Sequence, residues 1–243
     1  MSTPLEVDGA QAVVLRTVPW RDHDLIVDLL TPMGPVTLLA RSARRSMRRF
    51  GGALDQGTHI QIEVGTTRQG RARLTSCNVL TPVMAVRADL DRIAHLNYVL
   101  EISRLVAQPE SADPELFVML LQYLAVLEQS TATAEALVAW ELRVLAHLGY
   151  QLYLARCVGT GGQPNGLSLS SGGAVDAQLC PASDVVRVPP RAIEAMWGLT
   201  QGDVQVQFER VDVAEVRRAL AVIWGAVLGK PLRTAAFLNM NLQ

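Results

Sequence analysis

Lysine is nearly missing from this 243-residue chain: Lys230 is the only one among 22 basic side chains, so almost every cation is a guanidinium. Aromatic residues make up only 5%, which excludes a large aromatic-caged ligand site. Cysteine occurs three times, at Cys77, Cys157 and Cys180, too few and too scattered for the disulfide framework of a small secreted domain. No uncharged apolar run reaches the roughly 18 residues that a membrane span needs; the longest occupy residues 116–127 and 219–229. Residues 1–10 carry Glu6 and Asp8 and lack an apolar stretch of signal-peptide length. What is present is apolar, at 49% against 19% charged, which excludes wholesale disorder. A chain of this length buries a core large enough to stand without disulfide or metal. The expectation is a soluble cytoplasmic protein of one large or two modest domains.

Catalytic signatures are lacking too. Residues 225–230 carry two glycines and Lys230 in the manner of a phosphate-binding loop. Only three residues separate Gly225 from Gly229, however, and Pro231 stands where a hydroxyl is required. No dinucleotide fingerprint, nucleophile elbow or zinc-protease helix motif is present. His23, His59, His95 and His147 are scattered, and each reads as a surface or packing residue. Cys77 lies in strand-like sequence and reads as a small core residue. The catalytic residues expected are therefore none, and the protein is not expected to be an enzyme.

The net charge of −1 hides an asymmetry. Residues 1–80 hold ten Arg against seven acids, and the remainder twelve basic against sixteen acidic side chains. Between residues 41 and 73, eight Arg face only Asp55 and Glu63. Such a concentration attracts phosphate whatever the charge of the whole chain.

Five short segments in the first 80 residues read as strands: 12–18, 25–30, 36–40, 59–64 and 71–80. The fourth alternates apolar and polar with period two, and residues 31–35 form a dense turn signal. A polar interruption at 41–57 separates the third strand from the fourth, which is the plan of a small barrel of the OB type. After Pro82 the period becomes helical, over residues 88–106, 114–127, 133–148, 189–197 and 212–228. Asp113 followed by Pro114 and Glu115 marks one start, and Gly149 one end. The last helix is expected to bury Val213, Val216, Leu220, Ile223, Trp224 and Val227. Residues 158–173 are uncharged and eleven of the sixteen are Gly, Ser, Pro or Asn, the composition of a mobile loop. The fold class expected is α+β and multidomain: a five-stranded OB-fold barrel, then an α-helical bundle.

The strongest chemical signal is the segment 41–52, with Arg41, Arg44, Arg45, Arg48 and Arg49 and no carboxylate. Phe50 beside it is a candidate for stacking on a base, and Gly51 and Gly52 would let the backbone approach a partner. Arg68, Arg71 and Arg73 fall at the hairpin between the fourth and fifth strands, one of the loops with which OB-folds grip oligonucleotides. Two such clusters on one barrel face would form a groove that tracks a phosphate backbone.

The order of residues 12–17, 22–27 and 29–31, then Gly34, Arg41 and the run 44–54, resembles the opening of the RecO family of bacterial DNA repair proteins. Asp89-Leu90, the helix start at 114–117 and residues 140–150 resemble that family's helical region. The resemblance implies an OB-fold domain at 1–81, a helical domain at 82–156 and 185–243, and between them a zinc-ribbon insertion at 157–184. It implies a mediator of DNA repair and recombination that binds single- and double-stranded DNA and anneals complementary strands. With RecR, such a protein helps load RecA onto DNA coated by single-strand-binding protein, whose acidic tail it recognises. Localisation would be cytoplasmic, with the nucleoid. The contact residues expected are Arg16, Arg21, Arg41, Arg44, Arg45, Arg48, Arg49, Arg68, Arg71 and Arg73, with Phe50 stacking. For the acidic tail, an apolar pocket edged by Arg104, Arg143 or Arg233 is the expectation. An adaptor for an acidic protein tail and an RNA-binding OB module remain open as alternatives.

The sequence departs from the family in one place. Two C-x-x-C knuckles would supply four zinc ligands, but here they read Cys157-Val158-Gly159-Thr160 and Cys180-Pro181-Ala182-Ser183. Hydroxyls are poor replacements for thiolates in a structural zinc site. No histidine lies in the segment, and Asp176 or Asp184 alone does not complete a tetrahedral set. Cofactors are expected to be none, zinc included, with Cys157 and Cys180 as remnants of a four-Cys site.

Overall fold

In the computed structural model, which describes residues 7–203 and 205–240, all five expected strands are present. They are β1 (Gln11–Trp20), β2 (Asp24–Thr31), β3 (Gly34–Ala40), β4 (His59–Thr66) and β5 (Ala72–Thr81). They close into a barrel in the order β1-β2-β3-β5-β4, with β4 returning antiparallel to β1. The β3–β5 seam is the parallel one. This is the closed five-stranded topology of an OB-fold. A single helical turn, α1 (Met47–Phe50), interrupts the connection between β3 and β4.

Side-chain chemistry explains the closure. Ala12, Val14, Val27, Leu29, Leu38, Ile60, Ile62 and Leu74 fill the barrel, joined by Phe50, Ala53 and Leu54 from the β3–β4 connection. On β4 the alternation is plain: Ile60, Ile62 and Val64 are buried while Gln61 and Glu63 face water. β1 does not alternate, because Val13 and Leu15 are buried outside the barrel core as well. Helix α2 (Leu90–Val106) packs on β1 and helix α3 (Pro114–Gln129) on β2, so these strands are covered on both faces. A register shift between Val14 and Arg16 then returns Arg16 to solvent. Cys77 is buried in the barrel core; burial, with Glu63 adding to it, pushes its thiol up to about 11. It is an inert core residue.

The expected helix at 88–106 begins at Leu90 instead, after a 3₁₀ turn at Val86–Ala88. Asp89 is extended between the two, and its carboxylate accepts the N–H groups of Asp91 and Arg92 as a cap. Asp113 caps α3 on the N–H of Leu116, with Pro114 in the first turn. These elements belong to one compact unit, Met1–Ser130.

The second unit, Thr131–Gln243, is built on α4 (Ala134–His147), α5 (Pro190–Thr200), α6 (Arg210–Leu228) and a short α7 (Ala235–Met240). A loop was expected at 158–173, and residues 158–165 and 169–172 form one, but the structure corrects the expectation at 166–168 and 173, which are strand. Strands β6 (Gly166–Ser168), β7 (Gly173–Val175) and β8 (Val186–Arg187) form a small sheet in the order β7-β6-β8. Leu167 within the stretch and Ala174 and Val175 just after it are buried there, so a few apolar residues suffice to pair strands in a segment whose composition reads as loop. On α6 five of the six expected residues are buried and Val227 is half-buried.

The unit also carries a buried ion pair. Glu141 on α4 is 0% exposed and Arg217 on α6 is 5% exposed. The guanidinium holds both carboxylate oxygens, with Nη2 donating to Oε1 at 2.8 Å and Nη1 donating to Oε2. Trp224 Nε1 donates to the same carboxylate at 2.9 Å, so the charge is satisfied on several sides.

Gly34 has φ +107 at the start of β3, and a Cβ there would overlap the carbonyl oxygen of Ser111. Gly34→Ala should therefore cost about 2 kcal/mol or more in urea denaturation, from steric overlap and backbone strain together. Gly9→Ala, with nothing within 4 Å of the added carbon, should cost less. Arg217→Ala should cost roughly 3–5 kcal/mol, because it removes the cation that balances the buried Glu141 charge. A loss of under 1 kcal/mol in the same assay would refute the role given to the pair.

Candidate nucleic-acid interface

Strand register decides which turns share an end of the barrel. Trp20 pairs with Asp24, Leu25 with Ala40, Leu39 with Arg73, and Thr66 with Ala72. The β1–β2 turn at 21–23, the start of the β3–β4 connection and the β4–β5 hairpin at 67–71 therefore emerge at one rim. Arg21, Arg41, Arg44, Arg45, Arg48, Arg68 and Arg71 are exposed there, and Arg49 and Arg73 are half-buried. Segments 21–24, 41–50 and 67–73 together hold these nine guanidinium groups against two carboxylates, Asp22 and Asp24. The resulting field favours phosphate, and phosphate contacts carry affinity without reading sequence.

The Arg-rich segment is lashed down at its start. Asp24 Oδ1 accepts the N–H of Ser42 at 2.8 Å, and the N–H of Arg44 donates to the carbonyl of His23 at 3.1 Å. Arg44 Nη1 also donates to the carbonyl of Asp22, at 3.3 Å. Arg49 turns inward: its Nη2 donates to the carbonyl of Arg41 at 2.9 Å and its Nε to Ser46 Oγ at 2.9 Å. Its guanidinium carbon lies 5.0 Å from the centre of the Phe50 ring.

Two expected residues are placed differently, and Gly51 has a structural task of its own. Phe50 is 3% exposed within the barrel core, so it offers no face to a base; its burial anchors α1. Gly51 has φ +30 and ends α1 in the left-handed region, so helix termination accounts for it without a partner. Arg16 is exposed but lies away from the rim, on the wall of the barrel, where its strand partner is Asp28. Sequence reasoning also missed Trp20, 47% exposed at the end of β1 beside Arg21. Its signal was an aromatic residue inside a polar turn, where no core position calls for one.

The zinc-knuckle segment can be tested against its donors. Cys157 is buried, and its sulfur accepts the N–H of Asp176 at 3.0 Å. Cys180 has its sulfur 3.4 Å from Ser171 Oγ. Among the described residues no three His, Cys, Asp or Glu side chains gather as a metal site would require. Asp184 instead accepts from Ser168 Oγ at 2.8 Å, Ser170 N–H at 2.9 Å and Ser170 Oγ at 2.6 Å. Burial opposes ionisation of Asp184, yet these bonds outweigh it and bring the carboxyl down to about 2. The donors present do not fit a tetrahedral zinc ion.

A closed OB barrel with a guanidinium rim is the architecture of oligonucleotide-binding OB modules. The family model described as Recombination protein O N terminal matches residues 8–83, and that described as Recombination protein O C terminal matches residues 87–236. The chain is 32% identical over 233 residues to the DNA repair protein RecO of Myxococcus xanthus, covering 93% of this chain and 95% of that one. It is 32% identical over 235 residues to the DNA repair protein RecO of Geobacter sulfurreducens, covering 94% and 96%. The RecO of Anaeromyxobacter dehalogenans strain 2CP-C is 35% identical over 243 residues, covering 93% and 94%. The chain belongs to the RecO family, and its function lies in DNA repair and recombination. Among the described residues, no helix is long and apolar enough to cross a membrane.

Proposed function

We propose that the chain is a non-enzymatic recombination mediator whose barrel rim captures single- and double-stranded DNA by its phosphates. Strands held this way are oriented for annealing or, with RecR, for handover to RecA on DNA coated by single-strand-binding protein. One observation carries the reading: three turns far apart in sequence converge on one rim, with nine Arg against two Asp. The contact residues proposed are Arg21, Arg41, Arg44, Arg45, Arg48, Arg68 and Arg71, with Arg49 and Arg73 supporting them and Arg16 a flanking contact. The non-catalytic part of the proposal is supported by two of the histidines, which are engaged in packing: His59 edge-on to Phe117, His95 stacked on Tyr123.

Recognition of the acidic tail of single-strand-binding protein finds support in the second unit. A cleft of about 340 Å³ is lined there by Leu154, Ile193 and Trp197, with Arg156 and Glu194 at its polar side. Leu154, Ile193 and Trp197 would take the apolar end of a short acidic peptide and Arg156 its carboxylates, with Glu194 opposing them. Arg156 is the guanidinium that lines this cleft; the expected candidates Arg104, Arg143 and Arg233 do not line it. An adaptor binding only such a tail is the second reading, and it too would use this cleft. We propose further that the chain carries no zinc, because hydrogen bonds to Asp184 tie the knuckle segment together.

The rim is tested by replacing Arg45, Arg48, Arg68 and Arg71 with Ala, all four being exposed. Each phosphate contact on a single strand adds about −0.7 to the slope of log affinity against log salt, so the variant should flatten it by up to about 3. Affinity should fall alike for every DNA sequence, and annealing should slow. Unchanged affinity and slope would overturn the proposal, and competition by RNA stronger than by DNA of equal length would favour the RNA module. Elemental analysis of the purified chain should find zinc far below one ion per molecule. A stoichiometric ion would overturn the metal-free reading.

A further inference from the structure

We infer that Trp20 is a base-stacking platform on the rim and the residue that separates unpaired from paired strands; this rests on the rim being the DNA-binding surface. Of the five aromatic side chains at positions 7–130, four are buried: Phe50 at 3%, Tyr98 at 0%, Phe117 at 4% and Tyr123 at 4%. Trp20 alone is exposed, at 47%. The largest apolar side chain available thus stays in water at the one end of the barrel where the guanidinium groups gather.

Its neighbours supply what a stacking site needs. Trp20 closes β1 opposite Asp24, and Arg21 follows it with φ +53, a left-handed conformation that fixes the course of the turn. Arg44 is bound to this same turn by two hydrogen bonds, its N–H to His23 O and its Nη1 to Asp22 O. The Asp24 carboxylate at the foot of the turn is held by the N–H of Ser42. A phosphate held by Arg21 or Arg44 brings the adjoining base to the indole. Every base has a π face, so stacking on it tolerates any sequence. In a duplex those faces are covered by neighbouring base pairs, and only the phosphate contacts remain. The arginines therefore hold both kinds of DNA, whereas Trp20 adds affinity for single strands alone.

The test compares three probes of equal length: oligothymidylate, an abasic single strand and a DNA duplex. Trp20→Ala in the full chain should weaken oligothymidylate binding about tenfold or more, while abasic and duplex binding stay within about twofold of wild type. The salt slope should not change, and Trp20→Phe should recover most of the loss. Equal losses on all three probes, or no loss on oligothymidylate, would overturn the inference while leaving the rim intact. A wild-type chain that binds none of the probes would overturn both. Intrinsic fluorescence gives an independent reading, because Trp140 and Trp224 are buried and only Trp197 shares the exposure of Trp20. In a Trp197→Phe background, oligothymidylate should quench the emission and the abasic strand should not; quenching by both would count against stacking.

Discussion

The parallel pairing of β3 with β5 is the constraint from which the rest of the first unit follows. It sets Leu39 against Arg73 and Ala40 against Leu74, which closes the barrel with the β3 exit and the β5 entry at one end. The chain leaving Ala40 must then return to the opposite end, where His59 pairs with Val13 of β1. A tight turn cannot span that distance, so residues 41–58 form a long connection with two tasks. Its first part stays at the rim and carries the arginines. Its second part buries Phe50, Ala53 and Leu54 in the core. Charge at the surface and packing within are thus consecutive stretches of one connection, and the buried half holds the charged half in place.

The second unit meets a different constraint, since its core contains a carboxylate. Glu141 is tolerated at 0% exposure because Arg217 and Trp224 both donate to it. A nearby pair, Arg191 with Asp212, repeats the arrangement closer to the surface, with Asp212 2% exposed and Nε to Oδ2 at 2.7 Å. Such pairs add little net stability compared with apolar residues, yet they penalise any register of the helices that separates them. In the small β sheet the same logic appears without a cation. Asp184 accepts from Ser168 and Ser170, tying β6 to the segment that precedes β8.

Much of this was legible in the sequence where burial has a period. The barrel strands were visible because β4 alternates and because β1 and β2, covered on both faces, read as continuous apolar runs. The helix start at Asp113 was legible because its cap is side-chain chemistry that the sequence displays. Elements barely longer than one period were not. α1 has four residues and β6 and β7 three each, too few to show a pattern. Phe50 was misplaced because adjacency to arginine says nothing about which way a ring turns. The buried ion pair left a trace that could have been read: Glu141 lies four residues from Leu137 and from Leu145, and Arg217 four from Val213 and three from Leu220. Opposite charges in the apolar stripes of two helices imply that the stripes meet.

The rim arginines divide by what they already touch, and the division bears on how such a surface works. Arg44 and Arg49 hold backbone carbonyls of the turn and of their own loop. Their order is established before any ligand arrives. Arg41, Arg45, Arg48, Arg68 and Arg71 project into water around that fixed frame. A frame ordered in advance lowers the entropic cost of binding, while exposed guanidinium groups give contacts that ions screen within about 8 Å at physiological salt. The combination suits capture that is fast and easily reversed. On the function proposed above, many weak, interchangeable phosphate contacts serve better than a few buried ones, because each can be given up singly.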